Sequence, residues 1–176
     1  MGQSASQAAD AAVSLARVRR RDGLALIQAH RASTALHHPW TYPFTDVPGF
    51  NAWYAQTLDG SNVALLARAR DSGEVAGLFT FSQIVGGCFQ SAYLGYHAMA
   101  GCEGRGLMTH ALRLCVAYAF SELGLHRVEA NIQPDNARSL ALVKRAGFRH
   151  EGYSPRYLRI GGIWRDHERW ARLADD

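Results

Sequence analysis

The stretch Leu94 to Met108, LGYHAMAGCEGRGLM, constrains the fold more than any other part of the chain. It reads as a strand that runs out, a loop of small residues holding Gly101, Gly104 and Gly106, and a helix opening at Leu107. Glycine lets successive backbone N–H groups turn toward one point, and a helix start adds unpaired N–H groups and the positive end of its dipole. Such a loop is an anion cradle, and phosphate suits it best. Its order G-x-x-G-x-G is not the dinucleotide G-x-G-x-x-G, and no Gly-Lys-Ser/Thr of a nucleotide P-loop follows.

The rest of the chain supplies the elements around this loop. Residues 12–18 read as a first strand and residues 20–35 as a helix, with a weak helical period at Leu24, Ile27 and the run Gln28 to Ala32. Pro39 and Pro43 end that helix, because each removes a donor and extends the residue before it. A short helix over 51–58 precedes strands at 62–70, 75–84 and 89–99. The turns Asp71-Ser72-Gly73-Glu74 and Gly86-Gly87 make these an antiparallel meander. A helix over 107–123 carries Met108, Ala111, Leu112, Cys115 and Ala119 on one side and stops at Gly124.

Residues 126–133 alternate, with Val128, Ala130 and Ile132 on one face and Arg127, Glu129, Asn131 and Gln133 on the other. Asp135 or Asn136 then caps a helix over 137–146, with Gly147 past its end. Residues 149–158 and 163–173, joined through Gly161-Gly162, form a terminal hairpin. The order β-α-α-βββ-α-β-α-ββ implies a single α/β (α+β) domain, a mixed, mostly antiparallel sheet with helices on both faces. The domain is expected over residues 12–174, with residues 1–11 as a flexible, frayed N-terminus.

Composition narrows the class. At 176 residues and 48% hydrophobic, the chain has material for one full core and is too short for two comfortable ones. Its 19 basic and 15 acidic residues leave a mild excess that suits an acidic ligand or a ribosome-associated partner and does not indicate nucleic-acid binding. Cys88, Cys102 and Cys115 lie far apart without a C-x-x-C, which suggests neither a disulfide framework nor a zinc site and fits a reducing cytoplasm. No apolar run approaches the roughly 18 residues of a membrane span, and no charged segment precedes an apolar core as in a secretory signal. A soluble, cytoplasmic protein with no membrane partner is therefore expected. Met1-Gly2-Gln3-Ser4-Ala5-Ser6 also matches the N-myristoylation pattern, a short signal that matters only in a eukaryotic context.

With Asn136-Ala137-Arg138-Ser139 and Lys144-Arg145-Ala146-Gly147-Phe148 downstream, the glycine loop resembles the acyl-CoA loop of the GNAT N-acetyltransferase superfamily. Leu94-Gly95-Tyr96, Gly104-Arg105-Gly106-Leu107-Met108, Pro134-Asp135-Asn136, Glu151-Gly152-Tyr153 and Trp164-Arg165-Asp166-His167 resemble its RimJ/RimL branch, which acetylates N-termini of ribosomal proteins. About half of the chain is covered well, and the first third only loosely. The resemblance implies a GNAT-like fold in which the strand ending at Met99 and the one from His126 splay apart, with the pantetheine arm of the cofactor in the gap like an extra strand. It implies acetyl-CoA as cosubstrate, no metal, and transfer to a primary amine, above all the N-terminal α-amine of a protein or peptide such as a ribosomal protein. A monomer or a homodimer fits equally. Acetylation of a small amine such as a polyamine or aminoglycoside, or a non-catalytic acyl-CoA-binding module, stays open.

The resemblance also assigns residues. Met99, Gly104, Arg105, Gly106, Leu107, Asn136 and Ser139 would hold the cofactor, with backbone N–H groups near Met99 polarising the thioester carbonyl. Gly101 replaces the Gln or Arg that often begins the family's loop motif, and Glu103 sets an anion beside the proposed pyrophosphate. Neither change removes the backbone donors. Asn136 either orients the pantetheine or simply caps its helix. Ser139 offers a hydroxyl to the sulfur, as in the RimJ/RimL branch, since the position of the thiolate-protonating Tyr of other members is Val143.

Glu129 and Asn131 share the polar strand face, so Glu129 is a candidate general base or anchor for a catalytic water. Its structural alternative is an ion pair with Arg127, Arg149 or Arg156. The glutamate that some RimL-type enzymes are thought to use falls at Leu158. His38, Trp40 and Tyr42 either line a substrate entrance or cap the core edge, and Asp166 either meets substrate or pairs within the hairpin. Arg138, Lys144 and Arg145 meet the cofactor's 3′-phosphate or form a solvated face. Cys102 as an acyl-enzyme nucleophile ranks low, with no His beside it in sequence.

Overall fold

Alternation along two strands sets the layers. In the computed structural model, which describes residues 12–176, β2 (Asn62–Ala69) and β3 (Val75–Val85) are buried on both faces. Leu65, Ala67, Ala76, Phe79 and Phe81 enter one core, while Ala64, Leu66, Val75 and Leu78 enter a second, smaller one. The larger core is covered by α4 (Leu107–Ser121) and α5 (Ala137–Arg145), the smaller by α1 (Gly23–Ala32) and α3 (Val47–Leu58). The remaining elements are β1 (Val13–Arg17), a 3-10 turn (Arg20–Asp22), α2 (Thr34–His37), β4 (Ser91–Ala98), β5 (Arg127–Ile132), β6 (Arg149–Ile160) and β7 (Ile163–Leu173). The seven strands form one sheet in the order β1-β2-β3-β4-β5-β7-β6. Every neighbouring pair is antiparallel except β4 and β5. This is the mixed sheet with helices on both faces that the element order implies. The expected flexible segment 1–11, with the Gly2 pattern in it, lies outside the described residues.

Two helical boundaries differ from expectation. The helix expected over 20–35 is broken into the 3-10 turn, α1 and α2. At the break, the Ser33 hydroxyl donates to the Ala29 carbonyl at 2.6 Å and accepts from the Ala100 N–H at 2.9 Å, so it serves the loop after β4 rather than a continuous helix. Helix α3 starts at Val47, ahead of the expected residue 51, because the Asp46 carboxylate accepts from the Gly49 N–H at 2.8 Å and Pro48 preorganises the first turn.

The functional consequence of the topology lies between β4 and β5. These parallel strands pair only at Ser91–Arg127, Ala92–Val128 and Tyr93–Glu129, after which β4 runs on to Ala98 and β5 to Ile132 without each other. On its far side, β4 stays in register with β3 up to Ala98, and the Met99 N–H donates to the Ala76 carbonyl at 3.0 Å. Ladder bonds alternate along an antiparallel strand, so the N–H and C=O groups of Leu94, Tyr96 and Ala98 turn away from β3 into the gap.

Candidate active site

The gap opens into a cleft of about 650 Å³. Its walls are β4 from Leu94 to Ala98 and β5 from Ala130 to Ile132, and its ends are closed by the α2 region, the start of α5, and Leu158, Ile160 and His167 of the hairpin. Two bonds tie α2 and the loop after it to the parted strands: the His37 Nε2–H donates to the Ala98 carbonyl at 2.8 Å, and the Gln133 side-chain amide donates to the Trp40 carbonyl at 3.0 Å.

At one end stands the glycine loop. Gly101, Gly104 and Gly106 all have positive φ, and Gly106 (φ 75°) is the residue from which α4 begins. That left-handed conformation is costly for a residue with a Cβ. Leu107 is buried in the larger core, fixing the helix start against the sheet. The N–H groups of residues 104–108 have no acceptor among the described residues. They border a second cavity of about 370 Å³ whose lining includes Arg145. Glu103 also lines this cavity, with its carboxylate accepting from the Gly101 N–H at 2.6 Å. Arg105 is turned outward onto Asp71 at 2.6 Å, so what the loop offers is backbone rather than the Arg105 charge. Of the other basic residues, Arg145 faces this loop, Arg138 lines the main cleft, and Lys144 stands over the Trp170 ring. Cys102 is buried, with its thiol toward the Val75 carbonyl, and burial pushes its pKa up, the wrong direction for a nucleophile.

Ser139 lies in the first turn of α5 and lines the cleft. Its hydroxyl is 2.6 Å from the hydroxyl of Tyr96, which the Leu94-Gly95-Tyr96 motif contains but to which the sequence assigned no site role. Burial pushes Tyr96 up to about 12, partly offset by this bond, so the pair holds its protons at neutral pH. Asn136 caps α5, its side-chain oxygen accepting from the Ser139 N–H at 3.2 Å, and it lines the cleft as well. Val143 is fully buried in the larger core.

Four expected site residues are placed elsewhere. Glu129 sits where β4 and β5 are still paired, its carboxylate held by Arg127 at 2.7 Å, while Arg127 also binds Glu151. It is absent from the cleft wall, and a carboxylate engaged in an ion pair with its own strand's Arg127 is not poised to take a proton from an amine. The Met99 N–H is spent on Ala76; the donors that face the gap belong to Ala98 and Tyr96. Asp166 braces the hairpin from outside the cleft. It accepts from the Tyr153 hydroxyl and from the Arg156 N–H at 2.7 Å, and these two bonds lower its pKa. Tyr42 packs at a tilt against His38 and over the Gly161 turn, whereas His38 and Trp40 do line the cleft.

Asn131 is on the wall, and its side-chain oxygen is buried without a partner. Sequence reasoning assigned no site role to Tyr96, His97 or Gln133, which line the cleft, as do His37 and Thr41 of the loop segment and the buried His167 of Trp164-Arg165-Asp166-His167, read as meeting substrate or pairing within the hairpin. Strand alternation gives the one signal for them: Tyr96 and His97 are neighbours on β4 and must point to opposite faces. Among the described residues, no group of His, Cys, Asp or Glu is arranged to hold a metal ion, and no helix is long and apolar enough to cross a membrane.

A seven-stranded sheet opened between two parallel strands, with a glycine loop and helix start beside the opening, defines an N-acetyltransferase-type fold. The chain belongs to the acetyltransferase (GNAT) domain family, which it matches over residues 13–149. It is 43% identical over 97 residues to the ribosomal protein uS5-alanine N-acetyltransferase of Escherichia coli, a match covering 55% of this chain and 50% of that protein. The chain thus spans about half the length of the curated relatives it matches. Among solved structures, RimJ of Mycobacterium smegmatis in complex with CoA-disulfide superposes with a TM-score of 0.81 at 31% identity, covering 94% of this chain and 84% of that one. A spermidine N-acetyltransferase of Vibrio cholerae in complex with CoA and spermine shares the fold, with a TM-score of 0.78 at 18% identity over 93% of this chain and 96% of that one.

Proposed function

We propose that the chain transfers an acetyl group from acetyl-CoA to the N-terminal α-amine of a protein or peptide, a ribosomal protein being the class of acceptor suggested by the E. coli relative. The observation that carries the acyltransferase reading is the parting of β4 from β5, which leaves the Tyr96 and Ala98 N–H groups facing a cleft that also holds the Ser139–Tyr96 hydroxyl pair. The cofactor fits what is present. The unpaired N–H groups of residues 104–108 and Arg145 would hold its phosphates, and Asn136 and the free β4 edge its extended arm. When bound, acetyl-CoA supplies an activated acyl thioester.

The protein's own contributions are position and protons. Holding amine and thioester together supplies up to roughly 7–11 kcal/mol of the barrier. N–H groups of the β4 edge stabilise the developing oxyanion. The Ser139–Tyr96 pair returns a proton to the departing sulfur.

The α-amine is favoured by charge and by pKa. Asp135 is the lone carboxylate among the residues lining the cleft, a poor match for a polyamine with several cations. An α-amine of pKa about 7.7–8.0 costs roughly 1 kcal/mol to deprotonate at pH 7, against about 4.6 kcal/mol for a lysine near 10.4. Action on ribosomal proteins would place the reaction in the cytoplasm. Mass spectrometry after incubation with acetyl-CoA tests the assignment. A peptide with a free N-terminal Ala should be acetylated much faster than an N-blocked peptide carrying Lys, or than spermidine. Acetylation of internal lysines, or of polyamines alone, would overturn the acceptor; binding of acetyl-CoA without turnover of any amine would overturn the activity.

A further inference from the structure

Three histidines from different elements meet beside the cleft: His30 of α1, His37 of α2 and His97 of β4, with ring centroids 5.3 to 5.6 Å apart. Their hydrogen bonds fix where the protons are. A carbonyl oxygen only accepts, so His30, whose Nδ1 lies 2.9 Å from the Phe44 carbonyl, carries its proton on Nδ1. By the same rule His37, with Nε2 2.8 Å from the Ala98 carbonyl, carries its proton on Nε2. The opposite nitrogens, His30 Nε2 and His37 Nδ1, are bare, buried and without a partner. His97 Nδ1 is buried and unpartnered beside them. The ring centroids gather these three nitrogens in one cluster without bringing them to hydrogen-bond distance, and a proton on His97 Nδ1 is the one assignment that sets a donor there rather than a third lone pair. A neutral imidazole has a single N–H, so His97 Nε2 is then a bare acceptor. It lies 3.3 Å from the Thr41 hydroxyl, and both residues line the cleft.

We propose that His97 is the proton acceptor of this site: its Nε2 takes the proton that the amine sheds on acylation, and His30 and His37 hold the ring in the tautomer that leaves Nε2 free. The inference rests on the acyl-transfer reading above. Position supports it. Tyr96 and His97 are consecutive on β4 and project to opposite faces, so the hydroxyl pair lies on the α5 side of the sheet and His97 on the α2 side. Continuing the parallel register of Tyr93 with Glu129 puts Asn131 on the His97 face, where its unpartnered oxygen can accept a second N–H of the amine. The amine therefore meets acceptors on one side while the sulfur meets a donor on the other.

In the reaction, the nitrogen lone pair forms the N–C bond, and the C–S bond breaks with its electron pair leaving on sulfur. The surplus proton on nitrogen passes to His97 Nε2, directly or through the Thr41 hydroxyl. Sulfur takes a proton from the Ser139–Tyr96 pair. The proton lost at nitrogen equals the one gained at sulfur, and solvent restores both groups after product release. Burial, with His30 and His37 as the charges acting on it, lowers His97 to about 3, so the ring is a neutral acceptor throughout the physiological range. A nitrogen joined to the acyl carbon is far more acidic than the parent amine, so a weak acceptor suffices.

Two measurements test this. Long-range 1H–15N correlation spectra of the free protein, assigned with H97Q, should show His97 protonated on Nδ1; protonation on Nε2 would overturn the proposal. In His30→Phe, which removes one of the two neighbouring lone pairs, a fraction protonated on Nε2 should appear, and an unchanged spectrum would overturn the positioning role of His30. With an Ala-initiated peptide that the wild type acetylates, H97F should lower kcat about 10²-fold or more, leave KM and acetyl-CoA affinity within about twofold, and give a residual rate that climbs with pH. A fall of less than about threefold would overturn the role of His97 while leaving the acyl-transfer reading intact. A wild type that acetylated no amine would overturn both.

Discussion

Lowering the pH from 7.5 to 5.0 should destabilise the protein through its buried histidines, and His30 allows the size to be worked out. Its ring has no solvent exposure, and burial holds it down at about 4, partly offset by its bond to the Phe44 carbonyl. In the unfolded chain the same ring titrates near 6.5. Between these values the unfolded state binds the proton that the folded state refuses. The stabilising contribution is therefore complete above about pH 6.5, falls by about 1.4 kcal/mol per unit below it, and levels off under pH 4. At pH 5.0 the loss from His30 is about 2 kcal/mol. His37 and His97, also lowered by burial, act in the same direction.

Urea unfolding of wild type and His30→Asn at both pH values isolates the His30 share, because asparagine offers an N–H near Nδ1 and does not titrate. The wild type should lose about 2 kcal/mol more than the variant on acidification. Equal losses would mean that His30 takes up its proton in the folded state as readily as in the unfolded one, and the dry histidine cluster would be wrong.

Gly106→Asp should abolish acetyl-CoA binding in calorimetry, since it forces a side chain into a positive-φ position and a negative charge into the donor set; unchanged affinity would remove the phosphate cradle. Ser139→Ala should lower kcat by roughly 10²–10⁴-fold with little change in acetyl-CoA affinity, and a drop of less than about threefold would show that the thiolate leaves unaided. Glu129→Gln should leave kcat within about twofold, because the carboxylate is committed to Arg127, and should cost about 1 kcal/mol or less in urea unfolding; turnover slowed by about a hundredfold or more would restore Glu129 as the base.

What could be read from the sequence was whatever a short window decides. Gly106 and Leu107 mark the loop because positive φ and a helix start are local demands, and Val128, Ala130 and Ile132 mark β5 because alternation is local too. Ser139 and Asn136 were assigned by the family resemblance, carried by a motif at the start of one short helix. Features set by distant partners escaped. Ser33 breaks its helix in favour of Ala100, 67 residues on. Glu129 and Asn131 looked alike on one strand face, yet the first pairs with Arg127 below the point of parting and the second lines the cleft above it. The histidine cluster joins residues from α1, α2 and β4, and no sequence window contains all three. The Asp46 cap was within reach, since Asp-Val-Pro-Gly is a helix-start pattern.

The central claim is that the open edge of β4 receives the acyl thioester. Amide hydrogen exchange, read residue by residue with and without acetyl-CoA, tests it most directly. The Tyr96 and Ala98 amides should exchange rapidly in the free protein and become protected on binding, while the Met99 amide, bonded to Ala76, should be protected in both states. Saturating acetyl-CoA that left Tyr96 and Ala98 exchanging at their free rates would contradict the account.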